Sequence, residues 1–159
     1  MNKIALFEKV SEEEFIKSGG KNYGKIVLPK RATEGSAGYD FFSSYDIKIE
    51  PLSDYLVPTG IRAKIENGWV LCIFPRSGLG FKYGLSLKNT VGVIDADYYY
   101  SDNEGHIMIK LHNNSTDNIF IPSGKAYAQG IFFPFGITED DSVSEKRKGG
   151  FGSTDNRLL

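Results

Sequence analysis

The chain has 159 residues, 40% of them hydrophobic and 25% charged, with 19 Lys and Arg against 20 Asp and Glu for a net charge of −1. That length and composition fit one globular domain with its own core and exclude a disordered chain. The near-neutral balance offers no broad basic field for nucleic acid, and no apolar stretch reaches membrane-spanning length.

The first residues, "MNKIALFEKV", lack the apolar core of a signal peptide, so the expectation is a cytoplasmic protein. In "SEEEFIKSGG" (11–20), Ser11 and Glu14 stand at capping-box spacing before Phe15 and Ile16, and two glycines follow; this predicts one short helix. Beyond it, short apolar runs broken by Gly, Pro, Asn, Asp and Ser predict strands at "KIVLP" (25–29), "YDIKIEP" (45–51), "DYLVPTGIRAKI" (54–65) and "WVLCIFP" (69–75). The single cysteine, Cys72, lies in the last of these and reads as a small buried hydrophobe in a reducing compartment. "VGVID" (91–95) is a strand that ends on Asp95. "HIMIKLHNN" (106–114) alternates, with Ile107, Ile109 and Leu111 on one face and His106, Met108, Lys110 and His112 on the other. "NIFIP" (118–122) and "YAQGIFFPF" (127–135) complete the strands, with Gly130 a bulge or a point of close approach. The polar, aperiodic "ITEDDSVSEKRKGG" (137–150) reads as an arm. The fold class is therefore all-β, a distorted jelly roll or β-barrel, with residues 1–136 as one domain and residues 137–159 as a flexible arm.

Five stretches carry polar chemistry. Asp40 in "SAGYD" follows a glycine turn. Arg76, Ser77 and Gly78 place a cation, a hydroxyl and a free backbone N–H in three consecutive residues, a set that suits a phosphate. Asp95 is a carboxylate at a strand end, either a turn former or a general base held by a rigid element. Gln129 in "AQG" offers both a donor and an acceptor, and "KGGFGST" (148–154) is rich in glycine N–H groups and hydroxyls. With one Cys and two His no zinc cluster is expected; His106 and His112 do not read as catalytic, and Asp102 and Glu104 read as solvated hairpin-tip charges.

In this order and spacing, "AGYD", "PRSG", "NTVGVIDADY", "AQG" and "GGFGST" resemble the five motifs of the trimeric deoxyuridine triphosphatase (dUTPase) family, over residues 37–154. The resemblance implies a jelly-roll homotrimer with active sites at subunit interfaces, each closed by the arm of a third chain. It implies hydrolysis of dUTP to dUMP and pyrophosphate with Mg2+, limiting uracil in DNA and supplying dUMP for thymidylate synthesis. By the same resemblance Asp95 is the general base that orients a water towards the α-phosphorus, and Tyr98 packs on the deoxyribose. Asn89, Gly92, Val93 and Ile94, with Ile107 and Met108 on the returning strand, line the uracil slot. Arg76, Ser77, Gly78 and Gln129 meet the phosphates, and Arg147 holds the γ-phosphate. Phe151 stacks over the base, Gly152, Ser153 and Thr154 bond the terminal phosphate, and Asp40 holds the magnesium ion through water.

Three departures stand out. "DYYYSDNEG" lengthens the hairpin that the family usually closes with "DYRG", which leaves room for altered trimer contacts or an added protein-binding surface. Ala126 stands where an arginine is common, with Lys125 as its nearest substitute, and Asp155 replaces a closing glycine. The related dCTP deaminases share the fold and phosphate residues, but "GVIDADY" with an intact arm motif favours hydrolysis over deamination or a purely scaffolding role.

Overall fold

Apolar runs cut short by turn residues become twelve short strands among the described residues of a computed structural model, which are residues 2–145 with Arg147 and Gly149. The strands are β1 (Ala5–Lys9), β2 (Lys30–Arg31), β3 (Tyr39–Phe42), β4 (Ile47–Ile49), β5 (Asp54–Pro58), β6 (Ile61–Ile65), β7 (Trp69–Pro75), β8 (Leu85–Leu87), β9 (Gly92–Ile94), β10 (Met108–Asn113), β11 (Ile119–Ile121) and β12 (Ala126–Pro134). Two short helices join them, α1 (Glu12–Lys17) and α2 (Ser77–Tyr83). The largest sheet runs β2-β3-β12-β7-β9, and smaller ones run β5-β10-β8, β1-β6 and β11-β4. Every pairing is antiparallel and none of the sheets closes into a barrel. Among the described residues no helix is long and apolar enough to cross a membrane.

Local chemistry explains most boundaries. Ser11 caps α1 by accepting the Glu14 N–H at 3.1 Å, and three glutamates in the first turn with Lys17 in the last suit the helix dipole. The predicted strand over 54–65 is two strands, β5 and β6, split at Gly60, whose φ of +72° is left-handed. Alternation in β10 holds, for Ile109 and Leu111 are buried while Lys110 is exposed. The resulting core includes Phe15, Phe41, Ile47, Leu71, Leu111 and Tyr127.

The structure corrects three expectations and decides between two alternatives at a fourth place. "KIVLP" forms no strand: a 3₁₀ turn covers Tyr23–Lys25, and Ile26 enters the core while Val27 and Leu28 are both exposed, which is not the alternation of a strand. α2 follows β7 as a second short helix where the sequence predicted only one; two glycines and an exposed Phe81 hid any apolar face. Of the two alternatives at Gly130 the structure has the close approach, to Leu71 and Phe41, and the irregularity in β12 lies between Ala126 and Ala128 instead. His106 is fully buried instead of facing outward. It precedes β10, and its Nε2 accepts the Gly60 N–H at 2.9 Å.

Candidate active site

The central strand β12 sets Gln129 opposite Asp40 on β3 and Phe74 on β7, so one register brings together residues far apart in sequence. β7 ends at Pro75, and the chain then turns into α2 through Arg76, Ser77 and Gly78. Arg76 Nε lies 3.2 Å from Asp40 Oδ1, and Gln129 Nε2 donates to the Pro75 carbonyl at 3.2 Å. A Cβ on Gly38 would stand 2.5 Å from Gln129 Oε1, so the bare glycine is what leaves the amide its place. All five sequence-predicted residues of this side, Asp40, Arg76, Ser77, Gly78 and Gln129, line one open cavity of about 970 Å3, with Lys82 and Lys125 also on its wall. Among the described residues Asp40 is its one acidic lining residue.

A second, narrow pocket of about 50 Å3 opens beside β9. Asn89, Gly92, Val93, Ile94 and Met108 line it, over Ile73, Leu87 and Ile109. Gly92 lies opposite Ile73 of β7, and a Cβ there would come within 3.2 Å of the Ile73 Cβ, so the edge strand packs closely at this point. Ile107 does not line it. Its side chain is fully buried, its N–H donates to the Ile61 carbonyl at 2.9 Å, and its carbonyl accepts the Thr59 hydroxyl at 2.8 Å. Among the described residues the two cavities have no lining residue in common.

Asp95 directly follows β9, in extended backbone, and starts a 3₁₀ turn over Ala96–Tyr100. Its carboxylate is half exposed and accepts from Arg147 Nη2 at 2.8 Å, while Arg147 Nε donates to Asp97 Oδ1 at 3.0 Å. The same guanidinium stands 5.6 Å from the centre of the Tyr98 ring. Tyr98 is buried, and its hydroxyl donates to the His106 carbonyl at 2.8 Å. Burial raises the phenol above its ordinary pKa, so it keeps its proton.

Sequence reasoning missed how the lengthened hairpin is held. Glu104, expected to be solvated, accepts from the Ser11 N–H at 2.8 Å and from its hydroxyl at 2.6 Å, which together hold its carboxyl below the usual range. Asn103 Nδ2 donates to the Tyr98 hydroxyl at 2.8 Å. The Asn and Gly of the Asn-Glu-Gly run were the available signal, since both favour tight turns, and Glu104 takes a positive φ there along with Gly105. Phe151, Gly152, Ser153, Thr154 and Asp155 lie outside the described residues. Among the described residues no group of three or more His, Cys, Asp and Glu gathers as for a metal ion.

Comparison with known proteins gives concordant results. A family model described as dUTPase matches residues 24–155. The deoxyuridine 5'-triphosphate nucleotidohydrolase of Lactococcus lactis is 44% identical over 137 residues, 84% of this chain and 91% of that one. Its counterpart from Escherichia coli O45:K1 is 40% identical over 136 residues, 80% of this chain and 87% of that one. Among solved structures, the dUTPase from Streptococcus mutans matches with a TM-score of 0.70 and 36% identity, covering 84% of this chain and 98% of that chain. A mutant dUTPase from phage phi11 of S. aureus, described with a structural Mg(II) ion, has the same fold at a TM-score of 0.68 and 22% identity, covering 90% of this chain and 98% of that chain.

Proposed function

The chain belongs to the dUTPase family, and from that premise we propose how its residues divide the work of hydrolysing dUTP to dUMP and pyrophosphate. The observation that carries the assignment is the position of Asp95, a half-exposed carboxylate one residue beyond the β9 pocket wall. Held there by a strand and a 3₁₀ turn, it orients a water for in-line attack on the α-phosphorus and takes its proton. Uracil enters the narrow pocket, where main-chain groups of Gly92, Val93, Ile94 and Met108 read its polar edge and Asn89 adds a side-chain amide. A thymine methyl meets the closely packed backbone instead. Tyr98 packs on the deoxyribose and leaves no space for a 2′-hydroxyl.

Arg76, Ser77, Gly78 and Gln129 bind the triphosphate in the large cavity, where converging donors stabilise charge that builds on the leaving oxygens. One carboxylate, Asp40, suits an ion that arrives with the nucleotide and keeps most of its ligands from phosphate and water, as Mg2+ does. When bound, that ion supplies positive charge to the triphosphate. Arg147 moves from Asp95 and Asp97 to the terminal phosphate as the arm, residues 137–159, closes with Phe151 over the base and Gly152, Ser153 and Thr154 at the phosphate. Withdrawing the guanidinium also frees the Asp95 carboxylate to act as a base.

Two separate cavities in one protomer favour a homotrimer in which the phosphate side of one chain completes the base side of another. The partners are then dUTP and two further copies of the chain, in the cytoplasm, where dUTP removal limits uracil in DNA and yields dUMP for thymidylate synthesis. Pyrophosphate release from a panel of deoxynucleoside triphosphates with Mg2+ tests the reading: dUTP alone should turn over rapidly. Equal rates on dTTP or dCTP would defeat the base assignment.

A further inference from the structure

We propose that Asn103, in the lengthened turn after Tyr98, is a positioning residue for sugar discrimination: its amide fixes the tilt of the Tyr98 ring. The proposal rests on the reading that Tyr98 packs on the deoxyribose. The phenol is bonded on both sides, donating to the His106 carbonyl at 2.8 Å and accepting from Asn103 Nδ2 at 2.8 Å. The same Asn103 Nδ2 also reaches the His106 carbonyl at 3.3 Å, so one amide spans both ends of that bond.

Both partners sit on a stiff turn. The His106 N–H donates to the Asn103 carbonyl at 3.0 Å, and the Glu104 N–H donates to the Ser101 carbonyl at 2.9 Å. Glu104 and Gly105 both have positive φ, and a Cβ on Gly105 would stand 2.7 Å from the Tyr99 Cα. Glu104 then ties the turn to the N-terminus of α1 through Ser11, and the buried His106 ring is held by the Gly60 N–H. A ring that excludes a 2′-hydroxyl by contact alone needs its tilt fixed to a fraction of an ångström, because repulsion falls steeply with distance. Packing fixes the ring's place, and the two bonds on its hydroxyl fix its angle.

The test compares kcat/KM for dUTP and UTP, by pyrophosphate release from the full chain with Mg2+, in Asn103→Ala, Tyr98→Phe, the double variant and Tyr98→Ala. Loss of one such bond should lower the dUTP-to-UTP ratio about ten-fold in Asn103→Ala. The double variant should be no worse than Tyr98→Phe, because the proposed effect of Asn103 on the ring runs through the hydroxyl that Phe lacks. A merely structural role would lower the melting temperature and leave the ratio in place. An unchanged ratio in Asn103→Ala, with a collapsed one in Tyr98→Ala, overturns the proposal and spares the reading of Tyr98. An unchanged ratio in Tyr98→Ala defeats that reading itself. Additive losses in the double variant also overturn the proposal, by showing a route other than the phenol. Should Asn103→Ala not fold, Asn103→Leu keeps the volume, drops the donor and takes the same test.

Discussion

The cavity around Arg76 and the pocket beside Asn89 differ in volume, about 970 Å3 against about 50 Å3, and in what holds their walls. The large cavity presents long side chains with few ties: Arg76 leans on Asp40, and Gln129 on one carbonyl. The small pocket is bounded by β9, and the turn that follows β9 is bonded to α1 and to the loop before β6 through Ser11, Glu104, His106 and Gly60. A flexible polyanion needs converging charge more than a fixed shape, whereas a flat base and its sugar need a fixed shape more than charge. The two regions meet these needs separately, and substitutions should separate them too.

The largest effect is expected where the rigid side meets the chemistry. Asp95→Asn should cut kcat by ~100- to 10,000-fold while a non-hydrolysable dUTP analogue binds almost as before. Near-normal turnover would remove Asp95 from its role. On the flexible side, Arg76→Ala should lower kcat/KM by about 100-fold, since it deletes a phosphate donor and strands Asp40 without its partner. A loss confined to stability, with kcat/KM intact, would show that Arg76 serves Asp40 alone.

Two glycines sharpen the contrast with one methyl group each. Gly38→Ala drives a Cβ against the far end of a mobile side chain, Gln129 Oε1, so melting should hardly change while kcat/KM falls by roughly ten-fold as the amide is displaced. Gly130→Ala places its Cβ 2.8 Å from Leu71 Cδ1 and 3.1 Å from the Phe41 ring, both packed in the core. Overpacking there should cost about 1–2 kcal/mol of stability with little change in kcat for the molecules that remain folded. Thermal unfolding and steady-state kinetics on both variants decide the matter; matching profiles would erase the distinction.

Much of this was legible in the sequence because it is written in local patterns. The alternation of "HIMIKLHNN" from Met108 onward, the capping pair Ser11 and Glu14, and the apolar run over 69–75 each become the element they predict. The phosphate-side residues were legible as a set only through motif order, and strand register then explains why Asp40 and Gln129 are neighbours. What was not legible depends on long-range pairing. Glu104 reads as a surface charge until α1 comes to it, and His106 reads as outward-facing until Gly60 supplies a donor. α2 carries no apolar stripe, so periodicity had nothing to report.

The smallest predicted effect probes the frame behind the narrow pocket. His106 is fully buried, and burial pushes its imidazole below its ordinary value of ~6.5, despite the opposing carboxylates of Glu14 and Glu104. A base whose folded pKa is depressed leaves the folded state short of a proton relative to the unfolded chain. The stability held by neutral His106 is therefore complete above about pH 6.5 and falls as the pH drops from there towards the depressed folded value. Glu104, with its own carboxyl held low by Ser11, stays ionised through that window and does not contribute to the slope. Among the described residues the large cavity has no histidine on its wall, so the same acidification should leave phosphate-side contacts unaltered. Melting temperatures of the native chain should fall by a few degrees between pH 7 and pH 5.5, and those of His106→Gln should fall less steeply over the same range. Parallel curves would mean that His106 stays neutral throughout, or that another group sets the slope, and would detach the frame from pH.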